Sequence, residues 1–177
     1  FPKPRCSSFA ALNPQGHALL GYNNDGEAQP ILLLFTHPSD GYASIAIADI
    51  GGTLPGVSKT FTPFDSERNR SLLLYAPYSI QTGMNEMGLA LSTMTDPDGS
   101  WAIDPAKDTL GAAEARRFVL DHAKDVEEAI ALLSQYNVSY TGTTVSHVLL
   151  VDRSGQSALL EWVDGEMKVM RNQQSWQ

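Results

Sequence analysis

Short apolar runs, separated by glycine, proline and asparagine, divide most of the chain into predicted β-strands. Apolar residues that alternate with small or polar ones, or that follow one another over about four to eight positions, are typical of strands. Continuous apolar runs over 31–34 and 148–151 indicate strands buried on both faces. The predicted strands cover 7–12, 17–23, 31–36, 42–50, 71–75, 89–94, 146–151, 157–162 and 167–170.

Turn residues between these runs predict tight reversals. Asn13-Pro14-Gln15-Gly16 fits a type I turn, because proline presets φ at the second position and glycine suits the fourth. Asp164-Gly165 between two apolar runs is a strong hairpin signal. The segment from Gly83 to Gly88 predicts a further reversal, in which Asn85 and Glu86 fix the turn rather than take part in catalysis.

The apolar spacing changes to three and four residues between about 109 and 135, which predicts two helices. The first helix follows Thr109 as its N-cap, and the second follows Asp125, which forms a capping box with Glu128. Strands, then helices, then strands predict an α+β architecture with antiparallel sheet packed on sheet and covered by helices. Residues 51–70 have no periodicity and read as a surface excursion, whose Phe61 and Phe64 either line a pocket or anchor the loop.

Composition narrows the classes of function. The chain has 177 residues, 42% apolar and 18% charged, which is typical of one soluble globular domain. Its net charge of -8 is scattered, which argues against nucleic acid as a partner, and no apolar run approaches the roughly 20 residues of a membrane span. The sequence has no zinc-binding spacing, so we expect no metal and no cofactor. It is compatible with a cytoplasmic or an exported protein.

The only cysteine, Cys6, follows Arg5 and precedes the first predicted strand. A single cysteine cannot form an internal disulfide, so its thiol either packs inertly or does chemistry. If the Arg5–Cys6 bond were cut, Cys6 would carry a free α-amino group, whose ordinary pKa of about 7.7 to 8.0 suits a general base near neutral pH. Nucleophile and base would then belong to one residue, and no histidine would be needed. The residues alone favour neither an inert, packed thiol nor a catalytic one.

Several motifs stand in order along the chain. They are Cys6-Ser7-Ser8-Phe9, Asn13-Pro14-Gln15-Gly16, Gly21-Tyr22-Asn23-Asn24-Asp25, Gly83 to Ala90 and the strand pair over 146–170. Together they resemble the choloylglycine hydrolase, or linear amide C-N hydrolase, family, to which bile salt hydrolases, penicillin V acylases and acyl-CoA:6-aminopenicillanate acyltransferase-like enzymes belong. The resemblance implies a four-layer αββα sandwich of the N-terminal-nucleophile (Ntn) hydrolases, incomplete in this chain.

The resemblance also implies roles for individual residues. Cys6 matches the family's nucleophile, which attacks a linear amide and forms a thioester that water hydrolyses. Asp25 matches the aspartate that orients the amine of the nucleophile, although the residues alone favour a turn role. Tyr22 stands where bile salt hydrolases and penicillin acylases usually carry an arginine, so one cation beside the thiolate is missing, and Tyr22 would shape the pocket instead. Asn23 and Thr95 are further candidates for substrate or oxyanion contacts.

The resemblance finally implies processing and partners. Residues 1–5 are expected to be a propeptide or leader remnant, and 6–177 the N-terminal part of a single Ntn-hydrolase domain. In the family, an oxyanion-hole asparagine and a second arginine come after the point that matches Gln177. We therefore expect a C-terminal segment or second chain of the same precursor as a partner, a homo-oligomer, and a small N-acyl amide as substrate. An acyltransferase and a binding protein that retained the fold are the alternatives.

Overall fold

Seven strands form one antiparallel sheet, with the order β11-β10-β9-β6-β5-β4-β3. The computed structural model describes residues 6–25, 30–51, 66–101, 103–139 and 145–172, so residues 1–5 and most of the predicted excursion, with Phe61 and Phe64, lie outside the described residues. The strands are β1 Ser7–Leu12, β2 Ala18–Asn23, β3 Ile31–Thr36, β4 Ser44–Asp49, β5 Ile80–Asn85, β6 Ala90–Asp96, β7 Thr109–Gly111, β8 Asn137–Ser139, β9 Val145–Val151, β10 Ser157–Val163 and β11 Glu166–Arg171.

The helices cover one face of this sheet. They are α1 Glu67–Leu72, a 3₁₀ helix Leu73–Tyr78, α2 Ala112–His122 and α3 Val126–Leu133. Val119 and Leu120 of α2 pack in the main core with Leu91, Leu160 and other apolar residues of the sheet. Burial of this apolar surface stabilises the fold and fixes the helices on the sheet. None of the helices in the described part of the chain is long and apolar enough to cross a membrane.

The β1–β2 hairpin packs on the opposite face, over β6 and β9. Ser8 of β1 shares a hydrogen bond of 2.7 Å with Ser92 of β6, and Ala10 is buried beneath the hairpin. Side chains alternate along a strand, so Ser8 and its cross-strand partner Tyr22 both face the large sheet. The hairpin is therefore a second sheet layer, and the predicted α+β architecture of helices and stacked sheets is observed.

The edge strand β3 corrects one prediction. Leu32 and Leu34 pack against the apolar cluster beneath the 3₁₀ helix, whereas the side chains between them are turned toward the hairpin side. Leu33 and Phe35 there are 58% and 75% exposed. The prediction that 31–34 is buried on both faces is wrong for the described structure, because the hairpin is only two strands wide and covers the middle of the sheet.

The turns agree with the sequence. Gly16 has φ of +81° and its amide donates to the carbonyl of Asn13, while the Asn13 side chain accepts from two further amides of the turn. Asp164 and Gly165 have φ of +52° and +76°, as a type I′ hairpin turn requires. Glycine at position 16 occupies a left-handed conformation that other residues adopt only at a cost.

Asn85 has the structural role that was expected of it. Its side-chain Oδ1 accepts hydrogen bonds from the amides of Met87 and Leu89, which close the β5–β6 turn. Its Nδ2 donates to the carbonyls of Leu120 and Ala123 at 3.0 and 2.7 Å, which ties the end of α2 to this turn. Glu86 accepts from the amide of Ala43. Both residues thus fix the reversal.

Two predicted local features differ in the structure. The run over 71–75 is helical rather than extended, because Leu72, Leu73 and Ala76 pack with Ala48 and Ile50 beneath the sheet, and the next strand begins only at Ile80. Thr109 does not cap α2: it lies in β7, which pairs in parallel with β8, and Gly111 is the N-cap. Asp125 does cap α3, by accepting a hydrogen bond of 2.9 Å from the amide of Glu128.

Candidate active site

Cys6 lies at the end of the hairpin, one residue before β1, and is partly buried with a free thiol. The antiparallel register pairs Ser7 with Asn23 and so brings the next residue of the second strand beside Cys6. The thiol donates toward Oδ1 of Asn24 at 3.7 Å. The hairpin register therefore gathers Cys6 and the segment from Tyr22 to Asp25 at one end of the sheet sandwich.

Tyr22 contacts the thiol directly. Its phenolic hydroxyl donates a hydrogen bond of 3.4 Å to Sγ of Cys6. Burial, above all, raises the pKa of Tyr22, and the hydrogen bond and the charge of Cys6 raise it further, whereas the positive charge of Arg116 acts in the opposite direction. Tyr22 therefore remains a protonated donor. In general, a hydrogen bond donated to a sulfur atom stabilises negative charge on that atom.

The two remaining predicted residues of this segment contact each other. The side-chain amide of Asn23 donates a hydrogen bond to the carboxylate of Asp25. Asn23 pairs with Ser7 on the outer face of the hairpin, whereas Tyr22 faces the large sheet. Asn24, which the motif contained but which was not predicted as a site residue, has a side chain that reaches Cys6, as Tyr22 does. The strand register, which pairs residue 23 with residue 7, was the signal that could have identified it.

Gly21 keeps the hairpin narrow beside this site. The aromatic ring of Phe9, its cross-strand partner, lies over Gly21, so a Cβ atom at position 21 would fall 2.1 Å from the ring. Any other residue would displace Phe9, which is 55% exposed on the outer face. The glycine that opens the motif Gly21-Tyr22-Asn23-Asn24-Asp25 is thus explained by packing against Phe9.

The face beneath the hairpin carries a histidine that the sequence did not single out for catalysis. Nδ1 of His147 lies 2.8 Å from a carboxylate oxygen of Glu161, and its Nε2 lies 3.8 Å from Asp96. A cleft of about 220 Å³ beside β1 is lined by Ser8, Phe9 and His147, among others. These polar groups therefore share the sheet face on which Cys6 and Tyr22 are held.

Thr95 lies elsewhere. Ser92 of β6 faces the hairpin, and alternation turns Thr93 and Thr95 to the other face, where both line a cavity beneath α2. The structure thus places Tyr22 in contact with Cys6, pairs Asn23 with Asp25 in the adjoining segment, and puts Thr95 on the opposite side of the sheet. Within the described ranges, no three His, Cys, Asp or Glu side chains are grouped so as to hold a metal ion.

Sequence comparison gives one family. The profile of the acyl-coenzyme A:6-aminopenicillanic acid acyl-transferase family matches residues 74–176, more than half of the 177 residues. No curated protein matches the chain at a significant level of sequence similarity.

Comparison of structures gives relatives with the same fold. A variant of the conjugated bile acid hydrolase from Clostridium perfringens superposes with a TM-score of 0.69 at 19% identity, over 94% of this chain and 51% of that one. Penicillin V acylase from Agrobacterium tumefaciens gives a TM-score of 0.57 at 17% identity, over 95% of this chain and 49% of that one. The predicted Ntn-hydrolase sandwich, incomplete in this chain, is confirmed. The chain spans about half the length of these relatives.

Proposed function

The chain belongs to the acyl-coenzyme A:6-aminopenicillanic acid acyl-transferase family, and from this premise we propose that it forms the nucleophile-bearing part of a cysteine amidohydrolase. The reaction is hydrolysis of the linear amide bond of a small N-acyl substrate. The observation that carries the proposal is the grouping of Tyr22 and Asn24 around the thiol of Cys6. Relatives that hydrolyse conjugated bile acids or penicillin V have the same fold.

The proposed reaction begins with cleavage of the Arg5–Cys6 bond, which frees the α-amino group of Cys6. That amine takes the thiol proton, directly or through one water, and the thiolate attacks the amide carbonyl. The C–N bond then breaks, the leaving amine departs with the proton, and the acyl group remains on sulfur as a thioester. Water attacks the thioester and releases the carboxylic acid, which restores the thiol.

Tyr22 would take the place of the missing arginine as the donor to the sulfur, through a neutral hydroxyl rather than a cation. Asp25, held by Asn23, carries a negative charge in the segment beside the freed amine and would orient the ammonium form. An oxyanion donor from the remainder of the protein would complete the site, since loss of one such donor costs roughly a hundredfold to a thousandfold in rate. The same remainder would cover the exposed apolar side chains of β3.

Trapping of the acyl-enzyme tests this mechanism. Full-length protein that has been mixed with an N-acyl amide and quenched in acid within one turnover is expected to gain the mass of the acyl group on the peptide that begins at Cys6. Mass spectrometry of the intact protein and of its peptides measures both the adduct and the new N-terminus. Active protein that retains Phe1, or an acyl group on another residue, would contradict the proposal.

Tyr22→Phe is expected to lower kcat/KM for amide hydrolysis by roughly tenfold to a hundredfold, because it removes one hydrogen bond to a group that becomes charged. Alkylation of Cys6 by iodoacetamide, followed by mass spectrometry, should slow as well, while thermal unfolding should stay near that of the wild type. Tyr75→Phe is the matched control, since Tyr75 is exposed in the 3₁₀ helix. A Tyr22→Phe variant as active as Tyr75→Phe would argue against the role of this hydroxyl.

Acyl transfer is the second candidate, favoured by the description of the family that matches residues 74–176. An amine would then attack the thioester in place of water and give a new amide. The ratio of amide to acid formed in the presence of added amines, measured by chromatography, distinguishes the two. A protein that retained the fold for binding alone would form neither product and no thioester.

A further inference from the structure

A cavity of about 270 Å³ lies between α2 and the seven-stranded sheet, on the face away from the β1–β2 hairpin. Leu91, Val148 and Trp162 of the sheet and Val119 of α2 are among its apolar lining residues. Most ligand pockets in proteins hold about 300 to 1,000 Å³. A cavity just below that range fits one aromatic ring or a short branched chain, with a few polar atoms attached.

The polar part of the lining contains one charge. Gln81, Thr93, Thr95, Arg116 and Ser146 are its polar members, and Arg116 is the charged side chain in the described lining. Thr95 is exposed, whereas Leu91, Val119 and Trp162 are almost fully buried. The cavity therefore has an apolar interior and a positively charged, partly solvent-exposed side, which suits a ligand with a negative group on an apolar body.

Arg116 is held in position by its neighbours. Its Nη1 donates to Oγ1 of Thr93 at 3.4 Å, and that hydroxyl in turn lies within hydrogen-bond distance of the carbonyl and side-chain oxygens of Gln81. A guanidinium group carries five N–H donors in a planar fork, so it can hold Thr93 and a carboxylate at the same time. The contact with Thr93 reduces the side-chain entropy that a ligand would otherwise have to remove.

Two tryptophans form an aromatic wall. Trp101 and Trp162 both line the cavity, with ring centroids 5.3 Å apart and planes tilted by 51°. The indole Nε1 of Trp101 is buried, and no acceptor for it is present among the described residues. A buried donor without an acceptor costs free energy, which an oxygen of a bound ligand would recover. Aromatic walls also favour a ring as the ligand's apolar body.

We infer that this cavity is a binding site for a small carboxylate with an aromatic or branched aliphatic body, with Arg116 as the partner of the carboxylate and Trp101 and Trp162 as the walls. The cavity lies on the α2 face of the sheet, whereas Cys6 is held on the hairpin side, although the charge of Arg116 reaches as far as Tyr22. The inference does not rest on the proposed amide hydrolysis. A cationic ligand of the same size is disfavoured, because its charge would meet that of Arg116.

Calorimetric titration of full-length protein with sodium phenylacetate tests the site. The protein should carry Cys6→Ala, so that no covalent chemistry contributes heat. We expect saturable binding of one phenylacetate, and phenylethylamine, which has the same ring and the opposite charge, should give no saturable heat. Arg116→Gln should weaken phenylacetate binding roughly tenfold to a hundredfold, and Arg116→Lys should weaken it less.

Two substitutions on α2 locate the binding. Ala112 lines the cavity, and Ala112→Leu should fill it and abolish the saturable heat. Ala113→Leu, one residue along the same helix and outside the described lining, should leave the affinity unchanged. Thermal unfolding confirms that each variant is folded, and Arg116→Gln still tests the site if Ala112→Leu does not fold. Wild-type affinity in Ala112→Leu or in Arg116→Gln, equal binding of phenylethylamine, or no saturable phenylacetate binding would overturn the inference.

Discussion

Cys6→Ala is expected to lower kcat/KM for amide hydrolysis by the full-length protein about a thousandfold or more, since loss of a catalytic nucleophile removes the covalent pathway itself. The thermal unfolding midpoint should stay close to that of the wild type, because Cys6 is only partly buried and its hydrogen bonds within the described residues, to Tyr22 and Asn24, are long. Steady-state kinetics and circular dichroism melts measure the two quantities.

Failure of processing has to be separated from failure of catalysis. A version whose coding region starts with Met directly before residue 6 supplies the mature N-terminus without internal cleavage, and Cys6→Ala should be inactive in this form too. Ser7→Ala, at the exposed neighbouring position, is the matched control and should keep near wild-type activity. A Cys6→Ala variant that retains a tenth of the activity would rule out Cys6 as the nucleophile.

Arg117→Leu is expected to lower the free energy of unfolding by about 3–5 kcal/mol, because it leaves the carboxylate of a largely buried ion pair without its partner. Arg117 is 7% exposed, and its Nε donates to Asp121 at 2.9 Å. Its guanidinium also donates to the hydroxyls of Thr36 and Ser44 at 3.1 and 2.9 Å, so it ties α2 to β3 and β4. Urea denaturation followed by circular dichroism measures the loss.

An exposed ion pair of the same chemistry provides the comparison. Arg171 donates two hydrogen bonds of 2.8 Å to Glu127, but both side chains are about half exposed, so Arg171→Leu should change stability little. Arg117→Leu combined with Asp121→Leu should recover part of the loss, because no unpaired buried charge remains. Equal destabilisation by Arg117→Leu and Arg171→Leu would contradict the role given to burial.

Most strands were predictable because their signals are local. The bounds of β1 and β3 agree with the sequence to the residue, and the turns at Gly16 and Gly165 were identified from turn chemistry alone. The run over 71–75 was assigned wrongly for a physical reason. Four consecutive apolar residues have no period, so their conformation depended on packing of Leu72 and Leu73 beneath the sheet, which is a tertiary contact.

The candidate site also contains residues that local motifs could place and residues whose position depends on tertiary packing. Cys6 and the segment containing Tyr22 and Asp25 could be placed from motifs, because one hairpin brings them together. The position of Arg116 beneath the sheet could not, because it depends on how α2 packs on β5 and β6. The motif gave the position of Thr95 along the strand but not the face of the sheet on which its side chain lies. That face follows from the contact between Ser8 and Ser92, which shows which side of β6 meets the hairpin.

The pairing of β6 with β9 also bears on the order in which the molecule folds. β3 to β6 and β9 to β11 are each built from antiparallel neighbours, whereas Ala90 pairs with Val151 across the whole helical region. Closing so long a loop costs more chain entropy than forming either group of hairpins. The β1–β2 hairpin packs on β6 and β9 together, so it can dock fully only after that seam has formed. We therefore expect Cys6 to reach its final surroundings late in folding, after the strands that support its hairpin have paired.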